Sequence, residues 1–173
     1  MRALRFVPVT ELAAAAIAEY RAAFPDDRAR VTCDPARIPG LDRLECFDGV
    51  PVWLNYCRSI AGKITWYALT DGNRILGMLT LRHRLEYDDD DIEFASHIGY
   101  SVRPDERGRG YAKEMLRRAV PKAREIGIDR LRIICIESNT ASRRTIEGCG
   151  GVLVDRITGE ESGLTVYRYD IHI

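Results

Sequence analysis

The chain has 173 residues, of which 46% are hydrophobic and 30% charged, and its 26 basic and 26 acidic side chains give zero net charge. This length fits one domain with a full core. The balanced charge and the absence of a membrane-length apolar run give no sign of a nucleic-acid or membrane partner. The five cysteines form no Cys-x-x-Cys pair, which argues against a disulfide framework or a metal site and predicts a reducing, cytoplasmic location.

In chain order, the pattern of apolar and turn residues predicts strands that alternate with helices. Thr10 is expected to cap the first helix, and Pro51 to lie in the first turn of the second. A strand, a long helix and another strand then follow in order, which predicts that the two strands are parallel neighbours. The predicted elements are a strand at 2–8, helices at 11–23 and 51–61, strands at 64–69, 74–84 and 92–102, a helix at 109–126 with Pro121 inside it, a strand at 131–136, a helix at 140–147, and a closing hairpin of 152–158 and 164–173.

Two glycines and three arginines lie between a predicted strand and the long helix, in residues 102–112. A helix start of this kind presents unpaired main-chain N–H groups and a positive dipole end, which together bind phosphate. The P-loop consensus is absent, and the dinucleotide fingerprint would need a third glycine where Lys113 stands. What remains is Arg107-x-x-Gly110-x-Ala112, whose small residues let the main chain approach a pyrophosphate. An ordinary turn with solvated arginines is the alternative interpretation.

This loop and a second motif at residues 137–151 together resemble the GNAT superfamily of N-acetyltransferases. The loop is similar to the acetyl-CoA pyrophosphate loop of that family. In the second motif, Asn139 precedes a helix that ends in Ile146-Glu147-x-x-Gly150, which is similar to the family's second cofactor segment. The resemblance covers roughly residues 75–155, whereas the first sixty residues match only by the order of their elements.

The resemblance implies a single α/β (α+β) domain over residues 1–173, with a mixed, mostly antiparallel sheet flanked by helices and with splayed central strands. The pantetheine arm of acetyl-CoA would lie between those strands, and the glycine loop would hold the pyrophosphate. The residues that the resemblance implies for binding acetyl-CoA are Tyr100, Val102, Arg107, Gly108, Arg109, Gly110, Tyr111, Ala112, Asn139, Ser142 and Arg143.

The implied activity is transfer of an acetyl group from acetyl-CoA to a primary amine by direct attack within a ternary complex. The expected acceptor is a small-molecule or peptide amine of unknown identity, and no metal is implied. Neither a nucleic acid nor a membrane is expected as a partner. The closing strands could pair across a homodimer.

An alkyl ammonium has a pKa of roughly 10.4, so the acceptor has to lose a proton before it attacks. Glu93 and His97 are the predicted general bases, because both lie on the strand before the loop and period-two alternation places them on one face. Each also has a structural interpretation. Glu93 could belong to the solvated acidic turn of residues 86–93, and His97 could be a half-buried histidine with satisfied hydrogen bonds. Glu137, at the end of the next strand, is a further candidate.

One position departs from the family pattern. Many members have a tyrosine, which serves as general acid for the departing thiolate, where this chain has Ile146. The general acid is therefore unassigned, and a non-catalytic CoA-binding regulatory domain stays open as an alternative. A nucleotide-binding protein is a second alternative, which the missing lysine–serine pair of the P-loop disfavours.

Overall fold

The computed structural model describes residues 3–24, 38–87, 95–159 and 163–173. Within these ranges the chain forms seven strands and four α-helices. None of these helices is long and apolar enough to span a membrane. The elements are β1 Arg5–Pro8, α1 Ala14–Ala22, α2 Val50–Ser59, β2 Ile64–Asp71, β3 Arg74–Arg82, β4 Ile98–Val102, α3 Tyr111–Glu125, β5 Arg130–Ile136, α4 Thr140–Glu147, β6 Val152–Thr158 and β7 Thr165–His172.

The first four strands form one antiparallel sheet in the order β1-β2-β3-β4. Its strand β3 is buried along its whole length except for the first residue, because helices cover both faces. Met78 packs with Tyr20 of α1 and Trp53 of α2 on one face. Leu79 packs with Leu116 of α3 on the other. Strand β4 forms one edge of this sheet, which lies between the two helical layers.

The last three strands form a second antiparallel sheet in the order β5-β7-β6. The predicted closing hairpin is therefore confirmed. The strands that flank α3, predicted to be parallel neighbours, share no ladder within the described residues, since β4 and β5 belong to different sheets. On the side that faces the first sheet, the described hydrogen bonds to the main chain of β5 come from Ser96 and His97, just before β4. The predicted α/β fold with mostly antiparallel strands and splayed central strands is confirmed.

The starts of α1 and β4 differ from the sequence-based expectation. Thr10 does not cap α1: it lies inside a 3-10 turn, and the helix begins at Ala14 without a side-chain cap. The extended conformation of Leu12 separates the turn from the helix. The strand predicted from residue 92 begins at Ile98, and residues 88–94, which include Glu93, lie outside the described residues.

Candidate functional site

The loop between β4 and α3 depends on two glycines with left-handed backbone conformation. Gly108 has a φ of 77° and Gly110 a φ of 81°, values that other residues adopt only with strain. An added Cβ at either position would meet no heavy atom within 4 Å. Conformation, and not crowding, therefore requires glycine here, and the main chain of the loop faces open space.

The start of α3 offers several main-chain donors to that space. The first bond of the helix runs from the Glu114 N–H to the Gly110 carbonyl, at 3.0 Å. The N–H groups of Tyr111, Ala112 and Lys113 come before it and have no acceptor within the helix. Together with the positive end of the helix dipole, they form a site suited to an anion.

The arginines around the loop are held by nearby oxygens. The Arg107 Nε donates to the Val102 carbonyl at 3.3 Å. Arg109, whose side chain is 60% exposed, forms an ion pair with Glu106 at 2.9 Å. Arg74 approaches the same carboxylate at 3.2 Å. The loop therefore presents its main-chain amides as fixed donors, with the exposed Arg109 beside them.

Strand β4 turns alternate main-chain groups toward the gap between the sheets. The Arg82 N–H bonds to the His97 carbonyl at 2.8 Å, and the Arg103 N–H bonds to the Leu76 carbonyl at 2.9 Å. The register between these two bonds has no shift. Because bonding alternates along an antiparallel strand, the N–H and C=O groups of Tyr100 and Val102 point away from β3.

The gap is closed at the start of β4. The His97 N–H donates to the Arg132 carbonyl at 2.9 Å, and the Arg132 N–H donates to the His97 Nδ1 at 2.9 Å. The Ser96 hydroxyl donates to the Ile98 carbonyl at 2.9 Å and lies 3.4 Å from the Ile134 nitrogen. Sequence reasoning missed Ser96, because a single serine beside a strand carries no recognisable pattern.

A second contact spans the gap farther along β4. The Tyr100 hydroxyl lies 2.8 Å from the Ser142 Oγ on α4. The Asn139 Oδ1 accepts the Ser142 N–H at 3.0 Å and so caps α4. Burial raises the pKa of Tyr100, so its hydroxyl stays protonated at neutral pH. We call the gap between β4 and β5 beyond His97 the groove: Tyr100 and Ser142 meet across it, and the glycine loop follows the end of β4.

Arg143 differs from the other residues implied to bind acetyl-CoA. Its guanidinium carbon lies 4.5 Å from the centre of the Tyr167 ring on β7, a cation–π contact. On the same side of α4, Glu147 accepts a hydrogen bond from the Tyr169 hydroxyl at 2.8 Å. In this arrangement Arg143 packs α4 against the second sheet.

The structure describes two of the three predicted bases. Glu93 lies outside the described residues. His97 is 8% exposed, and burial, followed by the Arg132 guanidinium, lowers its pKa to about 4. Glu137 accepts hydrogen bonds from Arg156 and Tyr167, both at 2.9 Å, and the Arg156 bond lowers its pKa. The catalytic roles of these residues remain predictions.

Ile146 faces the core and not the groove. Its side chain is fully buried in the cluster beneath α3, and it lies close against Gly151. Residue 146 of α4 therefore contributes to core packing and supplies no proton donor to the groove. Tyr100 and Ser142 are the hydroxyl groups that the described residues bring to the groove.

Comparison with known families gives one match over most of the chain. The profile described as an acetyltransferase (GNAT) domain matches residues 4–152. A search of curated protein sequences returns no significant match.

Solved structures share the fold at low sequence identity. RimL, a ribosomal alpha-N-protein acetyltransferase in complex with coenzyme A, is 16% identical, with 100% of this chain and 96% of that chain covered and a TM-score of 0.70. The microcin C7 self-immunity acetyltransferase MccE, in complex with acetyl-CoA and AMP, is 16% identical, with coverage of 98% and 92% and a TM-score of 0.66. A ribosomal-protein alanine acetyltransferase from Vibrio fischeri is 14% identical, with coverage of 98% and 91% and a TM-score of 0.66.

Proposed function

The chain belongs to the GNAT acetyltransferase family, and on that premise we propose that it transfers an acetyl group from acetyl-CoA to a primary amine. One observation carries the proposal. The open glycine loop at the start of α3 lies at the end of a β4 edge whose main-chain groups at Tyr100 and Val102 point into the gap between two sheets. A long ligand with a diphosphate at one point and amide groups farther along matches this arrangement.

In this proposal the groove residues divide the cofactor between them. The amides from Gly108 to Ala112 bind the diphosphate, with support from Arg107 and Arg109. The outward N–H and C=O groups of Tyr100, and the outward N–H of Val102, whose carbonyl accepts the Arg107 Nε, bond to the amides of the pantetheine arm, as an added strand would. The remaining contacts are assigned to the start of α4, through Asn139, Ser142 and Arg143.

Bound acetyl-CoA supplies the thioester. In the transfer, a C–N bond forms to the acceptor amine, the C–S bond breaks, and coenzyme A leaves as a thiolate. The main-chain N–H of Tyr100 or Val102, each of which points into the gap, polarises the thioester carbonyl and stabilises the developing oxyanion. The proton of the acceptor passes to a base, directly or through water. Glu93 remains the proposed base, since a carboxylate there would precede the site on the chain segment that leads into β4.

The proposed acceptor is a small-molecule or peptide amine. Among the solved structures with this fold, RimL is named for the ribosomal protein L7/L12, and the Vibrio fischeri enzyme is named for an alanine of ribosomal protein S5. At 14–16% identity their acceptors do not transfer to this chain. The four cysteines within the described ranges are free, which supports the proposed reducing, cytoplasmic location.

We also propose a homodimer through the closing hairpin. Strand β6 lies at the edge of the second sheet and exposes three consecutive apolar residues, Val152, Leu153 and Val154. An exposed apolar edge strand is a common site of pairing between chains. Sedimentation velocity tests this proposal.

A non-catalytic CoA-binding regulatory domain is the alternative function. The burial of Ile146 in the core favours this alternative, because position 146 then supplies no proton donor. Such a domain would bind coenzyme A but release no free thiol from acetyl-CoA with any amine. Release of thiol in a panel of small and peptide amines therefore separates the two functions.

The experiment that tests the cofactor site compares two glycines that flank α3, one before its start and one after its end. Gly110→Ala should weaken the binding of coenzyme A about tenfold or more in calorimetry, because a side chain at this φ costs roughly 1–2 kcal/mol and displaces the loop. Gly127→Ala is the matched control: Gly127 has a φ of 84°, equally open surroundings, and a place after the far end of the same helix. Equal affinity of both variants, or no heat with the wild type, would contradict the proposed site.

A further inference from the structure

At the start of β4, hydrogen bonds of His97 and Ser96 join the first sheet to the main chain of β5. His97 donates its N–H to the Arg132 carbonyl and accepts the Arg132 N–H on its ring Nδ1, and both bonds are 2.9 Å long. A strand would bond to both groups of Arg132 with its own main chain. Here the imidazole supplies the acceptor, while the His97 carbonyl bonds to Arg82 of β3. His97 therefore bonds to the strands on both sides.

This contact fixes the protonation of the ring. A nitrogen that accepts an N–H bond has to carry its lone pair, so the proton of the neutral ring lies on Nε2. The charged groups around His97 are the guanidinium groups of Arg82, Arg130 and Arg132 and the carboxylate of Asp170. Asp170 holds Arg132 at 3.2 Å. With three cations and one anion nearby, the surroundings favour the neutral ring.

The contact also marks the point where the gap opens. His97 immediately precedes β4, and beyond it β4 and β5 share no ladder. Ser96 supports the closed end, since its hydroxyl bonds to the Ile98 carbonyl and lies beside the Ile134 nitrogen. Both residues are more than nine-tenths buried.

We propose that His97 is a positioning residue whose Nδ1 holds the main chain of Arg132 and thereby fixes where β4 and β5 separate to admit the pantetheine arm. The role of the arm rests on the proposed acetyl-CoA function, whereas the contact itself does not. This role differs from proton abstraction, because the lone pair of His97 is already bonded to a main-chain N–H.

Three substitutions separate positioning from proton transfer. In His97→Asn the side-chain oxygen occupies the place of Nδ1, one bond beyond Cγ, so it can accept the Arg132 N–H but cannot act as a base. In His97→Gln the acceptor moves one bond farther, to the place of Nε2. His97→Ala removes the acceptor. Melting curves identify any variant that fails to fold, and Asn and Gln still provide the comparison if the alanine variant does.

The first measurement is hydrogen exchange of the Arg132 amide by NMR. We expect exchange at the wild-type rate in His97→Asn and about tenfold or more faster exchange in His97→Gln and His97→Ala, which corresponds to loss of one buried hydrogen bond. Unchanged exchange in the alanine variant, or equally fast exchange in the asparagine variant, would overturn the proposal. This measurement needs no ligand, so it is independent of the proposed function.

The second measurement is calorimetric binding of coenzyme A, together with the pH profile of acetyl transfer to the best amine of the panel. We expect His97→Asn to keep the wild-type affinity and pH profile, and His97→Gln and His97→Ala to bind about fivefold or more weakly, as loss of one net hydrogen bond implies. If the asparagine variant binds normally but loses turnover as the alanine variant does, His97 is a base and the proposal is wrong. No binding by the wild type would instead contradict the proposed function.

Discussion

The two ends of β4 use the same kind of strand edge in opposite ways. At its start, side chains of Ser96 and His97 satisfy the main chain of β5 and close the gap. At its end, Tyr100 and Val102 turn main-chain groups into the gap, and the glycine loop follows. An edge strand left unpaired is a general binding surface. The contrast indicates that the gap between the two sheets opens here because pairing is provided at one end only.

The largest expected effect is on how the unfolding free energy depends on pH, through His97 at the closed end of the gap. The pKa of His97, about 4 in the folded chain, lies below the value of 6.5 that applies without the fold. Neutral His97 therefore stabilises the fold fully above pH 6.5, and this contribution is lost as pH falls toward 4. The wild type should lose about 3 kcal/mol more of its unfolding free energy over this interval than His97→Asn does. Urea denaturation of both proteins at several pH values provides the measurement, and parallel pH curves would show that His97 is not the group responsible.

The next largest effect concerns the main-chain N–H groups at the end of β4, which point alternately into the groove and toward β3. Val102→Pro removes an N–H that points into the groove, so the binding of coenzyme A should weaken about tenfold while the fold is retained. Arg103→Pro removes the N–H that bonds to Leu76 of β3, and it should lower the unfolding free energy by about 2 kcal/mol. The φ of −47° at residue 103 already suits proline.

Arg103→Ala is the control for the side chain of that residue, because it keeps the N–H. Calorimetry and thermal melting of the three variants measure binding and stability separately. If Val102→Pro destabilises the fold as much as Arg103→Pro does, the assignment of the two edges of β4 is wrong.

The smallest effect concerns the charge beside the glycine loop. Glu106 holds Arg109 in an ion pair, so Glu106→Gln should release Arg109 toward the diphosphate and tighten the binding of coenzyme A about twofold to threefold, an effect that salt should weaken. Glu125→Gln is the matched control, since Glu125 pairs with Lys122 at the far end of α3. Equal affinity of the two variants at low salt would show that Glu106 does not compete for Arg109.

The sequence predicted the order of the elements and the glycine turn between β4 and α3 well, for local reasons. Glycines between a strand and a helix, and a helix that follows Asn139, are patterns of a few neighbouring residues, and the structure has both. Thr10 failed as a cap because the turn at Val9–Glu11 ends before the helix begins. Local pattern could not detect that competing turn.

By itself the sequence determined the family, the order of strands and helices, and the residues that form the glycine turn before α3, because each depends on periodicity or on backbone preferences within a short segment. Only the tertiary structure decided which groups of β4 face the gap, and which residue closes it. The bonds of Ser96 and His97 reach Arg132 and Ile134, about 35 positions away, and no local pattern encodes a pairing over that separation.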